Sequence, residues 1–225
     1  MQALLAFAAA LVSFRLAGAL RARGRLAWAG ALLAYAAAAG AMAFGAAHGW
    51  DGRVFRVYYL AGGLLTAPLL GIGSLQFARR PWAAPLGLLW TGLAVGVAVA
   101  MPVHGRFGGE IPAAQDHLDW LPRTVAIAGN SLGTLAVVVV ALATIRRRPV
   151  GNVLILAGVS VAALGSAFAG LGVSAASGFA LVAAVLLYFG VVEPRFAAFG
   201  LFAQTAPRGA DTVTTGLPAT RRQET

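Results

Sequence analysis

The sequence predicts an all-α integral membrane protein: a bundle of seven transmembrane helices with the N-terminus outside and the C-terminus in the cytosol. Three observations carry this. Of 225 residues, 60% are hydrophobic and 11% charged, and mean hydropathy is +0.81. A soluble domain carries roughly a quarter charged residues, and a chain this short has too little interior to hide so much apolar surface. Next, the charges are spaced so that apolar runs of about 20 residues lie between them, the length that crosses the hydrocarbon core. Last, arginine is dense in alternate connections and sparse in the others, as the positive-inside rule requires.

The first span is 2–20, apolar apart from Arg15. It lacks a basic leading segment, and Arg15 interrupts its apolar run, so it reads as a retained helix and not a signal peptide. Arg15 lies roughly 7–8 Å from the cytosolic end of that helix, within snorkelling reach of the headgroups. The second span is 26–47, the third 57–78 between Arg56 and Arg79, the fourth 84–103, and the fifth 124–145 between Arg123 and Arg146. Residues 149–192 form one uncharged stretch too long for a single helix. The small-residue segment Gly170–Gly178 divides it by a turn into spans 150–169 and 178–192. Residues 193–225 carry Pro194, Pro207 and Pro218 and read as a cytosolic tail, disordered beyond about Gln204.

With this topology the inner connections hold Arg21, Arg23, Arg25, Arg79, Arg80, Arg146, Arg147, Arg148, Arg195, Arg208, Arg221 and Arg222, and the outer ones hold only Arg53, Arg56, Arg106 and Arg123. The net charge of +10 is therefore an orientation signal facing the anionic lipids of the cytosolic leaflet, and not a nucleic-acid signal. The Ala-, Gly- and Arg-rich composition is that of a GC-rich genome and points to a multi-pass protein of a bacterial cytoplasmic membrane.

Lipid tails give helices no hydrophobic reason to associate, so close backbone packing must help. Small residues recur at helical spacing as Ala36/Gly40 and Ala41/Gly45, as Gly92/Gly96/Ala100, as Gly129/Gly133, and as Gly158/Ala162/Ser166/Gly170. Pro68 is expected to kink span three and free a carbonyl inside the bundle. Trp28, Trp50, Trp82 and Trp120 fall near the ends of spans, as an aromatic belt would.

Several chemistries are excluded. There is no cysteine, hence no disulfide, thiolate metal site or thiol nucleophile. All 17 basic residues are arginine, so no amine exists for a retinal or pyridoxal Schiff base. No Asp, Glu or His lies mid-span, which removes the usual equipment of ion-coupled transport and intramembrane proteolysis. No cofactor is required by the sequence.

Four groups of residues remain as candidates. On the outer side, His48, His104, His117 and Asp116, with Asp51, Glu110 and Asp119, form a ligand set for a divalent metal or haem. Their spacing matches no metal motif, and a solvated loop is the plainer expectation. A short surface helix at 113–121, bounded by Pro112 and Pro122, is expected there. Gly129-Asn130-Ser131-Leu132-Gly133 fits G-x-S-x-G literally, but it lies inside an apolar helix, where it equally makes a G-x-x-x-G packing face. Thr66, Pro68, Asn130 and Ser131 are polar or helix-breaking positions that can line a ligand path. Asn130 must find a partner, and another helix is the expected one. Arg56 and Tyr59, with Arg53 and Tyr58, suit an anionic group or interfacial anchoring.

Seven spans with the N-terminus outside also occur in SWEET-type facilitators and rhodopsins. The proline pattern of the first and the lysine of the second are missing, so topology alone is shared. The expected function is a non-enzymatic receptor-like or accessory membrane component that binds a lipid, a lipophilic ligand or a membrane-protein partner. The alternative is an uncoupled small-molecule or lipid transporter.

Overall fold

The structure, a computed structural model, describes residues 2–22, 25–170 and 176–192. Among these it is helical and contains no strand. The elements are α1 (Gln2–Ala22), α2 (Leu26–His48), α3 (Gly52–Tyr58), a π-helical segment (Tyr59–Thr66), α4 (Ala67–Phe77), α5 (Ala83–Ala100), the short α6 (Ala114–His117), α7 (Trp120–Thr144), α8 (Pro149–Gly170) and α9 (Ala176–Val192). Helix α3, the π segment and α4 form one continuous rod, Gly52–Phe77. Six helices are long and apolar enough to cross a membrane, and α9 carries a shorter apolar stretch, Ser177–Val191. These helices fit a membrane-embedded protein.

The packing order explains where a site can form. Helix α1 packs on α2 and α9, α2 on the rod, the rod on α7, α7 on α8, and α8 on α9. The six elements thus close a ring. Helix α5 stands outside it, packed on the rod and open on most of its surface, with Leu88, Leu89 and Val99 exposed. Exposed leucines and valines of this kind are what hydrocarbon demands and water does not. One end of the bundle carries His48, Asp51 and the loop to α7, and is called here the histidine end. The other carries Arg21, Arg25, Arg79, Arg80 and Arg146–Arg148, and is called the arginine end.

Local chemistry sets the boundaries, and several differ from expectation. The third span starts earlier than residue 57. Asp51 caps α3, its Oδ1 accepting from the backbone N–H of Arg53 and of Val54, both at 2.8 Å. Arg53 and Arg56 therefore lie inside the helix. The fourth helix ends at Ala100, ahead of Pro102, and the fifth begins at Trp120. Pro122 sits in the first turn of α7, where its missing N–H costs nothing. The expected surface helix is reduced to the four residues of α6, followed by extended Leu118. The rod ends in a Schellman cap: the Arg80 N–H donates to Leu75 O, the Arg79 N–H to Gln76 O, and Arg79 takes φ +58°. The expected turn at 170–178 and the tail 193–225 lie mostly or wholly outside the described residues.

The tryptophans do not form a single belt. Trp82 and Trp120 are exposed, but Trp50 is buried. The short turn after Gly49 folds Trp50 back onto α2, and its indole fills the place where Gly45 would carry a Cβ, which would lie 2.5 Å from the ring. Any side chain at 45 would expel it. The small-residue stripes also divide. Gly133 lies against the Ala67–Pro68 backbone, and Gly129 against the Trp90 ring and Pro68. Gly158 faces Leu187. Gly40, Gly92 and Gly96 meet nothing within 4 Å, and Ser166 is exposed. Arg15 lies on the exposed face of α1.

Candidate functional site

At the histidine end the three histidines take separate roles. His117 is buried, contrary to a solvated loop. Its Nδ1 lies 2.8 Å from the carbonyl oxygen of His104, while the His104 N–H donates to His117 O at 2.9 Å. A carbonyl only accepts, so Nδ1 carries the proton. The ring stacks on Phe107 at 4.5 Å and leans on Phe55. These contacts pin the loop over the rod. His104 is exposed and pairs with Asp119 at 3.5 Å. His48 stacks on Phe44, and Asp116 points to solvent beside buried His117. Among the described residues, no three His, Asp or Glu side chains are grouped to hold a metal ion.

Arg56 turns away from solvent toward the end of α5. Its Nη1 donates to the carbonyls of Ala98, Val99 and Met101 at 2.8, 3.1 and 2.8 Å. A guanidinium at a helix C-terminus satisfies carbonyls that have no intrahelical partner and faces the negative end of the helix dipole. Tyr59 Oη donates to Pro122 O at 3.3 Å. Both side chains thus tie elements together.

Mid-bundle, Pro68 has the expected consequence with an addition. An N–H at position 68 would serve Leu64 O in α-helical register or Gly63 O in π register. Proline supplies neither. Trp90 Nε1 donates to Leu64 O at 2.8 Å, and Asn130 Nδ2 donates to Gly63 O at 3.0 Å. One donor comes from α5 and the other from α7, so the carbonyls that Pro68 leaves without its N–H are tied to both neighbours. Thr66 Oγ1 donates to Ala61 O within the π segment. Ser131 lies on the opposite, exposed face of α7. The structure therefore gathers Thr66, Pro68 and Asn130 into one seam, leaves Ser131 off it, and sets Arg56 and Tyr59 toward the histidine end. The G-x-S-x-G glycines are used for backbone approach.

The arginine end holds what the sequence did not reveal. A cavity of about 190 Å³ opens there, lined from five of the ring's six elements. Helix α2 supplies Trp28, with Arg25 at its N-cap. The rod supplies Ser74, Gln76 and Phe77, α7 supplies Val137, Val140 and Thr144, α8 with its leading turn supplies Arg148, Asn152 and Ile155, and α9 supplies Val191. The lining is two-natured. Asn152 is buried, and its Nδ2 donates to Thr144 Oγ1 at 2.9 Å. The Arg25 guanidinium lies 5.6 Å from the Phe77 ring centre, a cation–π distance. Val137, Ile155 and Val191 belong to the apolar core that includes Leu16, Leu20, Leu32, Leu70 and Leu187. The cavity is thus lined by both polar and apolar side chains.

Asn152 sits one turn from a triple arginine and so reads in the sequence as part of a connection. Its distance of eight residues from Thr144, across the Arg148-Pro149 turn, was the available signal. No protein-family model, curated protein or solved structure matches the chain.

Proposed function

We propose that this chain is a non-enzymatic, seven-span component of a bacterial cytoplasmic membrane, N-terminus outside, that binds a lipid or lipophilic ligand at the arginine-end mouth of its helical ring. The observation that supports this best is the cavity itself, which brings the polar side chains of Ser74, Thr144 and Asn152 together with the apolar ones of Val137, Ile155 and Val191. A pocket lined in both ways suits an amphiphile, which favours binding. The transport alternative draws on the π segment and Pro68, since broken helices often surround transported substrates. That seam is filled by Gly133 against Ala67 and by the Trp90 ring against Gly129, so we prefer binding. Helix α9 packs on α1 and α8 and carries the apolar stretch Ser177–Val191, which supports counting it as the seventh span.

Two experiments test this. Native mass spectrometry of the full chain released from membranes should show a retained lipid or lipophilic adduct; protein that is always bare would overturn the binding reading. Because the chain has no cysteine, single substitutions Gly109→Cys and Arg147→Cys report orientation without background. A membrane-impermeant maleimide added to intact cells should label the first and spare the second. The reverse pattern would overturn the topology.

A further inference from the structure

We infer that the arginine-end cavity takes a neutral, hydroxyl-bearing head, which donates its hydrogen to Asn152 Oδ1. This rests on the reading that the cavity is a ligand site and adds the chemistry of the ligand. Asn152 lines the cavity, yet only 4% of the residue is exposed. Thr144 fixes which way its amide points. The single Thr144 hydroxyl hydrogen goes to Val140 O at 2.8 Å, so toward Asn152 the Oγ1 can only accept. Asn152 therefore turns Nδ2 toward Thr144, at 2.9 Å, and Oδ1 away. Oδ1 accepts no hydrogen bond among the described residues, and it is not one of the atoms closed off from all surface. It looks onto the space that Asn152 lines.

A buried acceptor left without a donor loses its hydration and gains nothing in exchange. A ligand that donates to it restores the bond. Charge narrows the choice of donor. A carboxylate or a phosphodiester brings no hydrogen to Oδ1. An ammonium brings one but meets two guanidiniums, Arg25 and Arg148, on the same lining. A hydroxyl donates without charge. Its oxygen can also accept from the indole N–H of Trp28, which lines the cavity and has no acceptor among the described residues. Size limits the ligand further. Pockets that enclose a drug-sized molecule run to about 300–1,000 Å³, and this one is about 190 Å³. It has room for a head and the first carbons of a chain, against Val137, Ile155 and Val191. A lipid alcohol of the membrane and a small soluble alcohol such as glycerol share this chemistry.

The test uses the full chain in phosphatidylcholine nanodiscs, loaded separately with oleyl alcohol, methyl oleate, oleate or oleylamine and read by native mass spectrometry. The four share one chain and differ in the head. Oleyl alcohol should be retained about 3–10-fold more than methyl oleate, as one neutral hydrogen bond gives, and more than either charged head. Asn152→Leu keeps the bulk of the side chain and should erase that preference. Thr144→Val, made separately so that one failure to fold does not end the test, removes the group that orients the amide and should reduce it. Val140→Phe leaves Asn152 in place, fills the cavity and should lower retention of all four. Displacement of oleyl alcohol by glycerol would make the occupant of the hydroxyl site soluble, and resistance to glycerol would make it a membrane lipid alcohol. A preference for oleate or oleylamine, or one for the alcohol that survives Asn152→Leu and Thr144→Val, overturns the inference. Retention of all four alike overturns the hydroxyl head but leaves the binding function. Retention of none by the wild type overturns both.

Discussion

Pro68 withholds one N–H from the rod, and two side chains on other helices donate to the carbonyls that N–H would have served. Removing both donors should therefore cost more when position 68 is proline than when it is alanine. Interhelical hydrogen bonds in membranes are worth about 0.6 kcal/mol on average and about 1.7 at most. Asn130→Ala with Trp90→Phe deletes two, so the pair should destabilise by about 2–3 kcal/mol once the smaller aromatic ring is included. Removing the Asn130 amide also removes a buried Oδ1 that has no partner, which offsets part of the loss. In a Pro68→Ala background the restored N–H serves one of the two carbonyls. The same pair should then cost about 1 kcal/mol less. The Trp90 ring and the proline ring both pack on Gly129, so a parallel cycle with Asn130→Ala alone separates the hydrogen-bond coupling from their shared packing. Reversible unfolding in mixed micelles, followed by far-ultraviolet circular dichroism, measures all four corners. Independent sites add to within about 0.3–0.5 kcal/mol, so a coupling of about 1 is resolvable. A cycle that closes to zero would refute the claim that Asn130 and Trp90 compensate for the proline.

Further expectations follow from single positions. Gly133→Ala places a Cβ 2.3 Å from Ala67 O and should cost about 1–3 kcal/mol in the same unfolding assay, while Gly96→Ala, with nothing within 4 Å, should be neutral or slightly stabilising; equal effects would mean the α4–α7 approach is not as close as described. Arg79→Gly relieves a non-glycine φ of +58° at the Schellman cap and should raise stability by about 0.5–1 kcal/mol after the entropy of glycine is counted; a loss would point to a role for the arginine side chain instead. Arg56→Gln removes the donor shared by three carbonyls at the end of α5 and should cost about 1–2 kcal/mol, with an introduced cysteine at Ala100 becoming faster to label; unchanged labelling would show that the end of α5 holds without it.

The sequence made the spans legible because charge cannot enter hydrocarbon, so arginine positions mark where helices must emerge. The same rule misplaced the start of α3. Arg56 bounds the apolar run, yet a helix can begin before it enters the membrane, and Asp51 is the local sign of that beginning. Pro68 and Asn130 each announced a need, a freed carbonyl and an unpaired amide. That they meet depends on how α7 is rotated against the rod, which no one-dimensional spacing records. Period also tells which residues share a helix face but not whether a neighbour covers that face. Hence Gly129 and Gly133 pack while Gly92 and Gly96 do not. The mouth of the ring was least legible, because Trp28, Ser74, Thr144, Asn152 and Val191 are brought together only by closure of the ring.

The arginines at that end answer two different demands. Arg21, Arg79, Arg80, Arg146 and Arg147 are exposed; in the orientation proposed above, their positions are free as long as the count on that side stays high, since the positive-inside bias depends on number and not on geometry. Arg25 and Arg148 are partly buried and line the cavity, Arg25 over the Phe77 ring and Arg148 reaching Gly190 O, and a lysine would keep the charge but not these contacts. The two demands separate experimentally. Exchanging exposed arginines for lysine should change neither orientation nor stability. The same exchange at Arg25 and Arg148 should leave orientation untouched and lower stability in the unfolding assay, because the membrane counts charges where these contacts require a shape; unchanged stability would show that the contacts with Phe77 and Gly190 hold nothing.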